Sequence, residues 1–96
     1  MYVTIRKYPV CKDIIETNRI AVADVLPAMR TVPGFRSYVT VDTGNGTAAT
    51  IGMFDSREAA EKANQVAREV VSRTALKDLV PSPPETIMGE VLSDTA

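Results

Sequence analysis

The sequence predicts one α+β domain on a split βαβ plan, a four-stranded antiparallel sheet with two helices on one face. Three observations carry this. Short β-branched and aromatic runs alternate with two stretches of helical periodicity in the order β-α-β-β-α-β. Each helical stretch is preceded by a capping signature, and a Gly-Asn-Gly turn joins the two middle strands directly.

Tyr2 to Tyr8 is rich in β-branched and aromatic residues and meets Pro9, so it reads as the first strand. Asp13 stands three residues before Glu16 and opens a helix from about Ile14 to Thr31, with apolar residues at Ile15, Val22, Val25, Leu26 and Met29. Pro27 lies inside that pattern. It removes the hydrogen bond to the Ala23 carbonyl, which predicts a kink costing about 3 kcal/mol. Val32-Pro-Gly-Phe35 ends the helix and leads into the second strand, Phe35 to Asp42.

Asp42-Thr-Gly-Asn-Gly-Thr47 is a hairpin turn, followed by the third strand from Thr47 to Phe54. A regular hairpin centred on Gly44-Asn45 or Asn45-Gly46 places Phe35, Ser37, Val39 and Val41 on one face with Ala48, Thr50, Gly52 and Phe54. It leaves Arg36, Tyr38 and Thr40 with Ala49, Ile51 and Met53 on the other. Asp55-Ser-Arg-Glu58 repeats the capping signature, and Ala59, Ala63, Val66, Val70 and Val71 form the apolar side of a second helix running to about Leu79. Pro81-Ser-Pro-Pro84 is a stiff extended link to a fourth strand, Glu85 to Leu92, and residues 93–96 read as a frayed tail.

The order of elements is ferredoxin-like. Ninety-six residues suit one domain spanning 1–96, and 45% apolar with 24% charged residues is a globular balance. A sheet covered by helices on one side leaves its other side bare, and apolar residues occur on both strand faces. Two copies packed sheet against sheet, a homodimer, would cover it.

Eleven basic residues are dispersed among twelve acidic ones, which excludes a basic stripe for phosphates, so no nucleic-acid partner is expected. The chain carries neither a signal-peptide pattern nor an apolar run of the ~20 residues that span a bilayer. With Cys11 as its one cysteine, the expectation is a cytoplasmic protein without membrane contact.

The chemical inventory is defined by absences. Without histidine and with a single cysteine, there is no histidine-based triad and no zinc site, and no metal is expected. Gly44-Asn-Gly46 joins two strands rather than a strand and a helix, so it is a turn and not a phosphate loop. Asp13, Glu16, Asp55 and Glu58 are assigned to helix capping, Glu90 to the protection of an edge strand, and Cys11 to packing. The remaining polar candidates are Asn18 and Asn64 on the helices and Arg6, Arg36 and Tyr38 on strands. Arg36 and Tyr38 share a face, where they suit either a pocket for an acidic or phenolic molecule or a dimer interface. Asn64 borders the apolar stripe of its helix, placed to orient a ligand or to bond a backbone carbonyl.

Leu26-Pro-Ala-Met-Arg30, Val32-Pro-Gly-Phe35, Phe54-Asp-Ser-Arg-Glu-Ala-Ala60 and the βαββαβ order together resemble the antibiotic biosynthesis monooxygenase-like (ABM-like) group, over nearly the whole chain. The resemblance implies a dimeric α+β barrel with a small pocket between helices and sheet in each subunit. Some members oxidise polycyclic phenols with dioxygen and neither metal nor flavin, and others degrade haem. Catalytic members use asparagine, tryptophan and, in the haem branch, histidine. Here tryptophan and histidine are absent, so no imidazole can ligate a haem iron. Asn64 is the counterpart of the family asparagine, and Arg68 stands one turn on, where a tryptophan would be expected. The expectation is a cofactor-independent monooxygenase acting on a small aromatic or phenolic molecule, needing no cofactor. A non-catalytic dimer that binds a small molecule or another protein is the alternative. Asn64, Tyr38, Arg36 and Asn18 are the candidate ligand contacts, and no side chain is assigned as catalytic.

Overall fold

The computed structural model describes residues 1–94. Strands β1 (Tyr2–Tyr8), β2 (Phe35–Gly44), β3 (Thr47–Phe54) and β4 (Glu85–Glu90) form one antiparallel sheet in the order β2-β3-β1-β4. The first helical segment runs through α1 (Ile14–Ile20), a π-helical stretch (Ala21–Val25) and α2 (Leu26–Arg30). The second comprises α3 (Arg57–Ser72) and the short α4 (Leu76–Leu79). This is the ferredoxin-like α+β architecture. The fourth strand ends at Glu90 rather than Leu92. Of the expected tail, Ser93 and Asp94 carry no regular structure, and residues 95–96 lie outside the described residues.

The helix starts follow local side-chain chemistry, with two changes of partner. Asp13 accepts a hydrogen bond from the Glu16 N–H at 3.0 Å, as a cap should. The Glu16 carboxylate does not close a capping box, because it turns forward to Arg19 and is held there as an anion, its pKa lowered by that hydrogen bond. At α3 the cap is Ser56, whose hydroxyl accepts from the Ala59 N–H at 3.2 Å, and Asp55 instead pairs with Arg36. The second helix also breaks earlier than its periodicity predicts. The Thr74 hydroxyl accepts from the Leu76 N–H at 3.3 Å, a local bond that competes with helix continuation and restarts the chain as α4.

Pro27 is accommodated by widening rather than by a simple kink. The Leu26 N–H bonds to the Ala21 carbonyl, five residues back, so the turn before the proline is π-helical. The wider turn absorbs the loss of an N–H and the steric demand of the pyrrolidine ring.

The expected faces of β2 are overturned between Ser37 and Asp42. Asn45 and Gly46 take φ of 53° and 71° at the centre of the hairpin, but an irregularity follows between Asp42 and Gly44, and a second lies between Phe35 and Ser37. Each adds a residue to β2, and one added residue turns every following side chain over. Tyr38 therefore lies opposite Gly52, Thr40 opposite Thr50 and Val39 opposite Ile51. Tyr38 and Thr40 join Thr4, Arg6, Thr50 and Phe54 on the helix side, and Val39 joins Ile51 and Met53 on the open side. The second bulge restores Phe35 to its expected face, where its ring meets Phe54 edge-on at 6.0 Å.

The core lies between the helices and the sheet, around Phe54, Met29 and Val70. On α3, Ala59, Ala60, Ala63 and Ala67 are all buried, and their small side chains let the helix sit close to the strands. Gly52 serves the same end on β3, since a Cβ there would lie 2.8 Å from Phe54 Cε2 in a ring that has no exposed surface to move into. Gly52→Ala is expected to destabilise the fold by about 1–3 kcal/mol through overpacking, read as a lower urea midpoint at unchanged slope.

Candidate functional site

Small residues leave a cavity of about 40 Å³ between the first helical segment and the helix side of the sheet. Ala21, Ala48 and Ala67 supply the space, and Val25 of the π stretch, Val71 and Leu76 close it with apolar surface. Polar groups converge from the strands: Arg6 and Tyr8 of β1, Tyr38 and Thr40 of β2, and Thr50 of β3. At the rim the Thr40 hydroxyl donates to Asn18 Oδ1 at 2.7 Å, tying β2 to α1.

Arg6 dominates the electrostatics. Only 4% of its surface is exposed, its Nε donates to Thr50 Oγ1 at 3.2 Å, and its Nη1 is buried with no hydrogen-bond partner. No carboxylate among the described residues forms an ion pair with it. A buried charge without a counter-ion costs several kcal/mol, so this guanidinium gains from any anion that reaches it. Beside it, burial raises the pKa of Tyr38, and the Arg6 charge with hydrogen bonding toward Thr50 and Arg6 opposes that shift more weakly. Tyr38 is thus a neutral phenol at neutral pH, able both to donate and to accept.

The sequence-derived candidates separate in space. Asn18 and Tyr38 both line the cavity. Asn64 is buried but lies outside the lining, where Thr4 Oγ1 donates to its Oδ1 at 3.0 Å and its Nδ2 donates to Met88 Sδ at 3.2 Å. Arg36 is exposed and engaged with Asp55, away from the cavity. Arg6 and Thr50 were not among the predicted ligand contacts. The signal for Arg6 was present in its alternation with Thr4 and Tyr8 on an inner strand; nothing local distinguished Thr50. Cys11 is buried, with its thiol donating to Thr17 Oγ1 at 3.4 Å. Among the described residues no group of three or more His, Cys, Asp or Glu could hold a metal ion, and no helix is long and apolar enough to cross a membrane.

Solved structures of the ABM-like class share this ferredoxin-like arrangement of sheet and helices. No protein-family model matches the sequence, and no curated protein matches it significantly. A cofactor-independent oxygenase from Streptomyces nogalater, solved as an asparagine-to-alanine mutant, is 15% identical, covers 97% of this chain and 94% of its own, and superposes with a TM-score of 0.73. A monooxygenase from Streptomyces coelicolor in complex with nanaomycin D is 22% identical, over 97% and 92% of the two chains, at a TM-score of 0.69. A Nitrosomonas europaea protein provisionally assigned as an antibiotic biosynthesis monooxygenase is 18% identical, over 99% and 93%, at 0.75. These likenesses establish the ABM-like fold for this chain.

Because the folded-state pKa of Tyr38 is raised, its contribution to stability is complete below the unfolded tyrosine value of about 10 and is lost as pH rises through the folded one. Stability is expected to fall through that alkaline window, and less so in Tyr38→Phe, by urea denaturation at stepped pH.

Proposed function

We propose that the chain binds a small phenolic or quinol molecule in this cavity and supports its oxygenation by dioxygen without a cofactor. The observation that carries the reading is the buried, unpaired Arg6. An ionised phenol or enol oxygen is the complement of Nη1, and pairing there lowers the cost of ionising the substrate. Tyr38, Thr50 and Asn18 supply hydrogen bonds to orient the ring, and the apolar wall excludes water. With no histidine present, the substrate proton is lost to bulk solvent before the ring is enclosed, and the molecule is held as its anion.

The ionised ring passes one electron to dioxygen, and the two radicals join in a carbon–oxygen bond. The resulting peroxide takes up a proton and loses water, leaving a carbonyl where the ionised ring carried a C–H, the carbon that is a CH2 in the keto form of an anthrone. One oxygen atom ends in the product and the other in water, and the substrate supplies both electrons that the second atom requires. The Streptomyces neighbours, an oxygenase and a monooxygenase, support this reading by their shared fold.

Arg6→Met is expected to fold with unchanged or raised stability, since it replaces a buried unpaired charge by an apolar chain, while losing affinity for an ionised naphthol. Dioxygen consumption with an anthrone and quinol panel tests turnover. Consumption by the parent and not by Arg6→Met supports the oxygenase; binding without consumption supports a carrier of phenolic molecules instead. Loss of stability with unchanged binding in Arg6→Met overturns the role given to Arg6.

The open side of the sheet supports a second proposal, a homodimer. Val39 and Ile87 are 49% and 45% exposed there, next to half-buried Val3, Ile5, Ile51 and Met53. A second copy is the partner whose apolar face matches. Light scattering is expected to give twice the 10.4 kDa chain mass, and Val39→Lys with Ile51→Lys to return the monomer.

A further inference from the structure

On the far side of Arg6 lies a second, wider hollow of about 460 Å³ between α3, α4 and the proline-rich link into β4. Its charged lining is Arg6, Arg68 and Lys77, with no Asp or Glu. Neither Arg68 nor Lys77 forms an ion pair among the described residues, although five ion pairs occupy the rest of the surface. Ser72, Ser82 and Thr86 add hydroxyl groups. The same four side chains, Arg6, Tyr8, Val71 and Val80, border both this groove and the inner cavity, so they are the partition between them.

The inner cavity, about 40 Å³, has room for no more than a few waters and is too small for an aromatic ring, which needs on the order of 150 Å³. A ring-sized guest must therefore displace part of its wall. The partition is the wall that rewards displacement, because opening it gives the buried Arg6 Nη1 an acceptor and joins the cavity to a hollow more than ring-sized.

We propose that the groove is the anion-reading half of a continuous site, and that the ligand is an aromatic hydroxy acid. Its ring and phenolic oxygen lie against Arg6, and its carboxylate lies in the groove between Arg68 and Lys77. This rests on the cavity reading above and extends it to the substrate class. Three cations converging without a counter-ion suit a dianionic guest better than a neutral phenol, and a carboxylate matches the forked guanidinium donors.

The test is calorimetric titration of the full chain with naphthol and with hydroxynaphthoate. Hydroxynaphthoate is expected to bind about tenfold or more tightly than naphthol. That advantage should shrink with added salt, as it must for exposed charges. It should vanish in Arg68→Glu with Lys77→Glu, and in the milder Arg68→Gln with Lys77→Gln, while naphthol affinity stays as in the parent. Equal affinities for the two probes, or an advantage that survives both double variants, overturns the proposal and leaves the phenol-binding cavity standing. Binding of neither probe overturns both readings.

Discussion

A guanidinium held inside the sheet–helix interface without a counter-ion is the constraint around which the rest of this molecule is arranged. Arg6 sits on β1, an inner strand flanked by β3 and β4, so its side chain cannot swing to an edge to reach water. Thr50 across the strand pair gives Nε its acceptor, and Tyr38 stands near enough for the charge to act on its phenol. The alanines at 21, 48 and 67 keep the space in front of it from being filled. A core built only for stability would place leucine or methionine here. On the proposed reading the charge is kept for an anion, with stability given up in the empty protein and regained on binding.

The second helical side of the site depends on a backbone irregularity. The π stretch at Ala21–Val25 lets the chain pass Pro27 without a sharp break, and it presents Ala21 and Val25 to the cavity. An unbroken α-helix would meet the proline ring at the Ala23 carbonyl. The strain of that encounter is dispersed into a wider turn over the cavity, a common placing for such turns.

What the sequence made legible was whatever is decided locally. The first and third strands begin and end where alternation, Pro9 and the glycine turn put them, and the first helix starts at its expected cap Asp13, while the second starts one residue on, at Ser56 rather than Asp55. The fold class followed from the order of those elements. The face of β2 did not, because a bulge adds one residue without changing the strand-like character of the run. The two irregularities cancel at Phe35, leaving the strand's start as expected and its middle inverted. The candidate site suffered accordingly. Tyr38 reaches the cavity on a face opposite to the one its alternation indicated, and Asn18 reaches it through a bond to Thr40, a partner 22 residues away. Asn64 looked available as an isolated amide, yet both of its polar groups are engaged by Thr4 and Met88, which only long-range pairing brings to it. Arg6 was visible as a charge in a strand, but its lack of a partner is a property of the whole fold.

The paired bulges in β2 also bear on how such a protein diversifies. Between them, the strand's residues face the helix side and the open sheet surface in alternation, and the bulge between Asp42 and Gly44 decides which set goes where. Deleting Thr43 would leave Asp42 opposite Ala48 and every face unchanged. Pairing Thr43 into the ladder in place of the bulge would instead exchange Tyr38 and Thr40 for Val39 and Val41 in a single event, turning a polar cavity wall into an apolar one and carrying hydroxyl groups to the outer surface. No series of single substitutions does this without passing through a half-exchanged strand. Presence or absence of this bulge is therefore a more direct route to a changed cavity wall than point mutation, and it changes the open face of the sheet at the same time, since both draw on the same six residues.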